Sequence, residues 1–225
     1  SNERDLAQIE LVKVYLTFSK FLDKNKMNIQ NIVIKKGKFD FFKEDLKNLF
    51  SFFNTKINEK EISILNSKIF LKDEDEDIYS IISINKSQSI YDKIEAINNL
   101  DVNGEIFNNS FKLNLKNNFL GRRSNLDLVF DKLNKKFVNY IDFKNKKIEG
   151  NISYFDSRKK YDTIYTFHND ILKFYSNEKV GSKTFYSGII NFSPFSSKLE
   201  INLKSIDLKN LLSNDSLFLE ILKSN

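Results

Sequence analysis

Cysteine and tryptophan are absent from the sequence, and proline, methionine and histidine each occur once. Without cysteine the chain cannot form a disulfide bond or a thiolate metal site. This absence is compatible with the cytosol and with the cell envelope, so it assigns no compartment. A run of about 18 apolar residues is also missing, which excludes a transmembrane helix within this segment.

Stretches rich in glycine, serine or proline, which mark linkers between domains, are missing as well. The sequence therefore predicts one β-rich domain over residues 3–225, and that length is sufficient to bury a core without disulfide bonds. Ser1 and Asn2 stand where a methionine would begin a complete protein, and they resemble the remnant of a cleaved tag. We therefore expect the segment to come from a longer protein.

The chain is basic, with a formal net charge of +6 and a pI near 9.1. A basic chain can bind nucleic acid when its lysines and arginines form a patch or stripe. Here lysine is abundant together with asparagine, isoleucine and phenylalanine, as AT-rich coding sequences produce, and the lysines are distributed along turns and polar positions. The sequence therefore does not favour a nucleic-acid partner.

Alternating apolar and polar residues are the main structural signal. In residues 61–71, Ile62 and Ile64 alternate with polar residues, and Ile69 and Leu71 resume the alternation further on. A period of two is typical of a β-strand with one dry and one wet face. The interruption at residues 66–68 predicts a kink or bulge that redirects the strand.

Residues 31–41 repeat this design. Alignment of the two copies gives a constant offset of 30 positions between Ile32 and Ile62. The further aligned pairs are Ile34 with Ile64, Gly37 with Ser67, Lys38 with Lys68, Phe39 with Ile69 and Phe41 with Leu71. Two kinked strands of one design suggest a sheet built by adding similar units.

Further alternating segments, with turn signals at roughly 8–12-residue spacing, predict a meandering all-β region. Asn108-Asn109 predicts a two-residue hairpin turn because asparagine tolerates positive φ, and Asn134-Lys135 predicts another turn. Apolar residues at helical spacing predict helices over 42–53, 207–212 and 216–222, with a short helical turn over 18–24. The predicted fold is mainly β (α+β): an open, strongly twisted antiparallel sheet that forms a groove, with a few amphipathic helices.

His168, the single histidine, ends a strand pattern between Phe167 and Asn169. A catalytic histidine needs a nucleophile or substrate and an orienting partner, and no such motif accompanies it. A structural or surface role is therefore favoured.

The acidic run 73–77 places Asp73, Asp75 and Asp77 like the first three ligands of a calcium loop. Such a loop requires glycine where this chain has Ile78. Mutual repulsion of the carboxylates favours a solvated turn instead.

Arg122 and Arg123 could bind a phosphate or a lipid headgroup. The simpler interpretation is a turn with two solvated cations, because such short basic motifs have little specificity. The sequence contains no glycine-rich phosphate loop and no HExxH zinc motif. It therefore predicts no catalytic residue, no metal site and no cofactor.

The apolar face of the alternating strands remains as the candidate functional feature. It could be the core of a closed sandwich, or it could line a groove for an elongated apolar ligand. In the second case the candidate lipid-facing residues are Ile62, Ile64, Ile69, Leu71, Ile82, Ile84, Val102, Leu113, Leu115, Leu126, Leu128 and Phe130, with Arg122 and Arg123 as headgroup candidates.

The order of these segments resembles the AsmA-like family of bacterial envelope proteins. That family carries an I-x-I-x-N-G-x-I-x-x-x-D element, which residues 62–73 resemble with Ser67 in place of the glycine and Asp73 in the acidic position. An L-x-x-x-G strand matches residues 100–104, and a strand followed by D-L-x-x-L-L matches residues 199–212.

The resemblance implies a groove-forming β-sheet protein that is tethered to the inner membrane by an N-terminal helix and projects into the periplasm. Long members of the family are implicated in moving phospholipid toward the outer membrane. The expected partners are phospholipid or another acyl-chain lipid, and envelope proteins of both membranes. A sandwich-type scaffold or adhesion module that binds protein or glycan is the alternative, and a hydrolase acting on envelope material ranks last.

Overall fold

The computed structural model describes residues 6–18, 27–42, 60–73, 75–144, 147–156, 159–177 and 184–203. These residues contain thirteen β-strands and no helix. The chain divides into two compact units, Ser1–Leu120 and Gly121–Asn225, which we call unit 1 and unit 2.

The described residues of unit 1 form six strands that lie side by side in chain order. They are β1 (Ala7–Phe18), β2 (Met27–Phe42), β3 (Glu61–Lys72), β4 (Ile78–Asp92), β5 (Ile97–Ile106) and β6 (Asn109–Asn118). Strands β2 and β3 are parallel, and the other neighbouring pairs are antiparallel.

In unit 2, seven strands are formed by the residues that the structure describes, also side by side in chain order. They are β7 (Arg123–Phe130), β8 (Lys135–Lys144), β9 (Lys147–Asp156), β10 (Lys159–His168), β11 (Ile171–Ser176), β12 (Thr184–Phe192) and β13 (Phe195–Leu203). All neighbouring strands in this unit are antiparallel. The meander predicted from the spacing of turn residues is therefore confirmed.

The parallel pair corrects the expectation of an antiparallel sheet. Ile32 lies opposite Ile62 and Ile34 lies opposite Ile64, so the offset of 30 positions found in the sequence is the pairing register of β2 and β3. Parallel neighbours need a crossover connection of about a dozen residues or more. Residues 43–60 are long enough to provide it.

Both strands of this pair are kinked at the same level. Lys36 has φ 53° and Asn66 has φ 48°, backbone angles that residues other than glycine seldom adopt. β3 and β4 keep one register on both sides of Asn66, and β4 has an extra residue against β5 between Ile84 and Lys86. Ile64 and Ser67 therefore point to the same side although they are three positions apart. The predicted bulge at residues 66–68 is therefore confirmed, and the neighbouring strand β4 has a register shift at Asn85.

A serine hydroxyl holds the two kinks together. The backbone N–H of Gly37 donates a hydrogen bond of 2.9 Å to Ser67 Oγ, and that hydroxyl donates one of 3.0 Å to the carbonyl oxygen of Leu65. Ser67 is 2% exposed, so these bonds satisfy polar groups that water does not reach.

Two predicted turns are displaced by one residue. Phe107 and Asn108, with φ 48° and 59°, form the hairpin turn, and Asn109 already begins β6. Both central residues have positive φ, as a type I′ turn requires. Similarly, Lys135 is the first residue of β8 and not part of a turn.

The acidic run forms an exposed turn, as predicted. The Asp73 carboxylate accepts hydrogen bonds from the backbone N–H groups of Asp75 (3.0 Å) and Asp77 (2.9 Å). Residues 75–77 are exposed. The turn is therefore ordered by a local side-chain-to-backbone contact.

The predicted helices over 207–212 and 216–222 lie outside the described residues, as does most of the predicted helix 42–53 and of the turn 18–24. Phe42 was expected to begin a helix, but it is the last residue of β2 and is 4% exposed. Phe18 ends β1. Within the described part of the chain, no helix has the length and apolarity to cross a bilayer.

Candidate functional site: the apolar sheet faces

One face of unit 1 is formed by rows of apolar side chains that run across neighbouring strands. Residues that are directly opposite on paired strands point to the same side of a sheet. One row contains Val12, Ile34, Ile64, Ser87, Val102 and Leu113. The next contains Val14, Ile32, Ile62, Ser89, Leu100 and Leu115.

We call this side the unit 1 apolar face. It contains all nine candidate residues that the sequence analysis assigned to this part of the chain: Ile62, Ile64, Ile69, Leu71, Ile82, Ile84, Val102, Leu113 and Leu115. Strand pairing places these nine residues on one side because each strand keeps its period of two, and their role as lipid-facing residues stays a prediction.

The exposure of this face changes across the sheet. Leu115 and Ile84 are 2% and 6% exposed, whereas Val12 and Val14 on β1 are 51% and 50% exposed. Most of the residues between them are half-buried. Among the described strands of unit 1, extensive contacts join only sheet neighbours.

Small side chains on β4 interrupt the rows. Ser87 lies between Ile64 and Val102, and Ser89 lies between Ile62 and Leu100. Both serines are buried. A small polar residue on β4 therefore stands in each row between aliphatic side chains on β3 and β5.

The opposite side of unit 1, the unit 1 polar face, has a different chemistry. Lys72 Nζ lies 2.7 Å from Asp40 Oδ2, and Asn114 Nδ2 donates a hydrogen bond of 2.6 Å to Asp101. These polar and charged side chains lie among apolar ones, including Leu65 and Phe70, so this side of the sheet has a mixed character.

Unit 2 also has an apolar face, and aromatic rings dominate part of it. Phe130, Phe137, Tyr154 and Tyr161 follow one another across β7 to β10, with successive ring centroids 6.5, 4.8 and 5.9 Å apart. The rings of Phe137 and Tyr154, and those of Tyr154 and Tyr161, are stacked. We call this series the aromatic ladder.

The candidate residues Leu126, Leu128 and Phe130 lie on the same face as the aromatic ladder. Leu128 is directly opposite Phe137, and Leu126 is directly opposite Asn139. Leu126 and Leu128 are half-buried, and Phe130 is buried.

A buried cation lies beside the aromatic ladder. Lys135 is 7% exposed, and its Nζ lies 3.1 Å from Asp156 Oδ1 and 5.8 Å from the centroid of the Tyr154 ring. Burial opposes the charge of Lys135, but hydrogen bonds to Tyr154 and Asp156 outweigh it, so the pKa of this lysine is raised. Lys135 therefore stays protonated, and the carboxylate of Asp156 balances its charge.

The centre of the unit 2 apolar face contains a few hydrogen-bonded polar groups. The Tyr165 hydroxyl donates a hydrogen bond of 3.1 Å to Asn139 Oδ1, and the hydroxyls of Thr163 and Tyr186 are hydrogen-bonded to each other. Burial raises the pKa of Tyr165, and its bond to Asn139 partly opposes this shift. This face is thus less uniformly apolar than that of unit 1.

Ion pairs cover the other face of unit 2. Glu149 is bound by Lys144 at 2.8 Å and by Lys147 at 2.9 Å, and these two cations lower the pKa of Glu149 to about 2. Further pairs among the described residues of this face are Lys144 with Asp142, Lys136 with Asp127, Lys160 with Asp162 and Lys198 with Glu200. Lysines on this face are therefore matched by carboxylates.

The arginines proposed for a headgroup do not extend the apolar face. Arg123 is directly opposite Asp142, on the ion-paired face of unit 2. Arg122 is an exposed turn residue with φ 49°. His168 is exposed at the end of β10.

The sequence analysis missed a grouping of lysines on the unit 1 polar face. Lys38 and Lys68 are directly opposite on β2 and β3, although they are distant in sequence. The constant offset of 30 positions was the signal that could have shown it, because it aligns these two lysines.

Comparison with known proteins yields no match to a family model, to a curated protein or to a solved structure. Among the described residues, no group of three or more histidine, cysteine, aspartate or glutamate side chains could hold a metal ion.

Proposed function

We propose that this chain is a non-enzymatic lipid-binding domain that holds the acyl chains of phospholipid against the unit 1 apolar face. The observation that carries the proposal is the set of continuous aliphatic rows on this face, in which Ile62, Ile64 and Leu113 are half-buried and Val12 and Val14 are exposed. Removing such surface from water is favourable in proportion to its area.

The dimensions of the rows suit an acyl chain. Neighbouring strands lie about 4.8 Å apart, so a row across six strands spans roughly 24 Å. One leaflet of the hydrocarbon core of a bilayer is about 15 Å thick. A single row can therefore contact an acyl chain along its whole length.

The composition of the rows favours lipid over a protein partner. The centres of protein interfaces are enriched in tyrosine, tryptophan and arginine, which combine apolar area with hydrogen bonds. The rows through Ile32 and Ile34 contain aliphatic residues and serine only. An acyl chain forms no hydrogen bonds, and these rows offer almost no side chains that could form them.

The resemblance to the AsmA-like family supports the cellular compartment and the direction of lipid transport that we propose. In this proposal the domain lies in the periplasm, is tethered to the inner membrane by an N-terminal helix, and binds or passes phospholipid toward the outer membrane together with envelope proteins of both membranes. The in-register pair β2 and β3 supports a sheet that grows by similar units, which suits an extended lipid path.

The alternative is a scaffold or adhesion module that binds protein or glycan, and the aromatic ladder is the feature that could favour it. Sugar rings bind to the exposed faces of aromatic side chains. In the ladder the stacked rings of Phe137 and Tyr154 lie at 26° and those of Tyr154 and Tyr161 at 22°, so their faces are turned to one another. The ladder therefore offers little surface to a glycan.

The test uses two neighbouring residues on β1 that point to opposite sides. Val14 is on the apolar face and Tyr15 is on the polar face, and they are 50% and 47% exposed. Val14→Glu and Tyr15→Glu add the same charge to the same strand at similar exposure. Binding of a phospholipid with a fluorescent acyl chain is measured for both variants, and native mass spectrometry of the parent protein detects lipid that remains bound during purification.

We expect Val14→Glu to weaken binding of the fluorescent phospholipid by about tenfold and Tyr15→Glu to leave it unchanged, with similar melting temperatures for both. Equal losses in the two variants, or no binding by the parent protein, would contradict the proposal. Leu115→Glu is unsuitable for this purpose because Leu115 is 2% exposed, so a carboxylate there would be buried and would test folding.

A further inference from the structure

Four lysines on the unit 1 polar face form a group at the level of the strand kinks, which we call the lysine cluster: Lys35, Lys38, Lys68 and Lys86. Lys38 is directly opposite Lys68, and Leu65 lies between Lys35 and Lys86 in the adjacent row. The cluster thus occupies three neighbouring strands and is about 10 Å wide. Residues separated by up to 51 positions are brought together by strand pairing.

These lysines are not neutralised within the described part of the chain. Lys38 and Lys68 are exposed, and the hydrogen bonds and ion pairs of the described residues involve none of the four. Carboxylates on the neighbouring strands are engaged elsewhere or distant: Asp40 is bound to Lys72 and Glu10 to Lys36, and Glu105 is two strands from Lys68 in the same row.

Direct opposition of two like charges is unfavourable in a sheet. On the ion-paired face of unit 2, Lys144 and Lys147 are also directly opposite, but both bind the carboxylate of Glu149, at 2.8 and 2.9 Å. A bound anion between Lys38 and Lys68 would remove the repulsion. The contrast between the two units therefore indicates that the lysine cluster is arranged for an external anion.

A pocket of about 250 Å³ adjoins the cluster. Lys38 belongs to both, and the other lining residues are Ala7, Gln8, Asp40, Phe70, Lys72 and Ile78. The pocket thus combines cations, a carboxylate, an amide and apolar groups. A phospholipid headgroup placed there would have its phosphate beside Lys38 and its polar group beside Asp40 and Gln8.

We propose that the lysine cluster and its adjoining pocket bind the headgroups of anionic phospholipid at a bilayer surface. Clustered basic side chains near an anionic membrane contribute about fivefold each to binding. The cluster lies on the side of the sheet opposite the unit 1 apolar face, so this inference is independent of acyl-chain binding there. The polar face docks the domain on a membrane, while the apolar face is available to a single lipid.

The experiment measures co-sedimentation of the protein with vesicles of equimolar phosphatidylglycerol and phosphatidylcholine, and with vesicles of phosphatidylcholine alone. The test variant is Lys38→Gln/Lys68→Gln. The control variant, Lys136→Gln/Lys160→Gln, removes the same charge from lysines that are ion-paired in unit 2. We expect the test variant to lose about 25-fold in affinity for the anionic vesicles, and the control variant to lose at most twofold.

Folding is checked in the same samples. The test variant removes a like-charge opposition, so its melting temperature should equal or exceed that of the parent protein. If the double variant is unstable, Lys68→Gln alone should lose about fivefold in vesicle affinity.

Four results would overturn the inference. They are equal losses in the test and control variants, equal binding to the two kinds of vesicle, displacement from vesicles by low inorganic phosphate, and tighter binding to a single-stranded oligonucleotide than to the vesicles. The third would identify a free-phosphate site, and the fourth a nucleic-acid surface. The fluorescent phospholipid assay reports separately on the apolar face, so failure of one proposal does not entail failure of the other.

Discussion

Gly150 lies directly beneath the ring of Tyr165, its partner on the neighbouring strand β10. A Cβ atom added at Gly150 would overlap the Tyr165 ring and hydroxyl, and Tyr165 is only 3% exposed. The same relationship joins Gly104 to Phe111 and Gly188 to Phe174. In each case a glycine on one strand gives room for an aromatic ring that originates on the next.

Gly150→Ala should therefore destabilise the protein. Alanine is normally better than glycine inside a strand by about 0.5–1 kcal/mol, but the overlap with Tyr165 should outweigh this gain and leave a net loss of about 1–3 kcal/mol in the free energy of unfolding. Urea denaturation measures the change. Asn125→Ala, at an exposed position of β7, is the control.

The double variant Gly150→Ala/Tyr165→Leu tests the cause. If the ring is responsible, the loss in the double variant should be smaller than the sum of the two single losses. Strict additivity would show that Gly150 is required for some other reason.

Ser67→Ala should destabilise unit 1 by about 1–2 kcal/mol, because it leaves the buried N–H of Gly37 without its acceptor. Ser63→Ala is the matched control, since Ser63 is also buried but its hydroxyl bonds only a side chain, Glu61, at 3.3 Å. Chemical denaturation should rank Ser67→Ala well below Ser63→Ala in stability. Similar values would mean that the kinked strands do not depend on this hydroxyl.

Asp156→Asn should destabilise unit 2 more than Lys135→Met. The first change leaves the buried ammonium of Lys135 without its counter-charge and should cost about 1–3 kcal/mol. The second removes the charge and keeps an apolar chain of similar length beside Tyr154, so it should cost less than about 1 kcal/mol. Thermal unfolding distinguishes the two, and the reverse order would contradict the assignment of Lys135 as a buried, paired cation.

Acidic pH should lower the stability of unit 2, because Glu149 loses its charge when it is protonated. Its pKa is lowered from an ordinary value of 4.5 to about 2 by Lys144 and Lys147, so its contribution to stability is complete above about pH 4.5. That contribution is lost as the pH falls toward 2, because protonation of Glu149 is then favoured in the unfolded chain before the folded one.

Glu149→Gln should reduce the slope of melting temperature against pH between about pH 4.5 and 2. The effect should shrink in 1 M salt, where the Debye length is about 3 Å, because the three side chains are on the surface. An unchanged slope in the variant would show that these ion pairs make no contribution.

The sequence predicted the parts of the fold that depend on local order. Alternation placed Ile62 and Ile64 on the apolar face, and the interruption after Leu65 marked the kink. These features follow from the period of a strand and from the backbone of single residues, so they can be derived without knowledge of the neighbours.

The parts that the sequence did not predict depend on which strands become neighbours. The parallel direction of β2 and β3 was missed because the pattern of a strand is the same in both directions. The grouping of Lys38 and Lys68 follows from that pairing and was missed with it. The hairpin turn was predicted one residue too late, at Asn108-Asn109 instead of Phe107-Asn108, because a bulky residue such as Phe107 seldom has a positive φ.

The in-register pairing of β2 with β3 has an evolutionary consequence. Because equivalent residues of the two strands lie 30 positions apart and directly opposite each other, duplication of one such unit in the gene would add a strand with every apolar residue already on the correct side. Most insertions in a sheet disrupt its register, but this one would preserve it. Unit 1 thus contains a segment whose length could be changed by whole repeats without redesign of its neighbours.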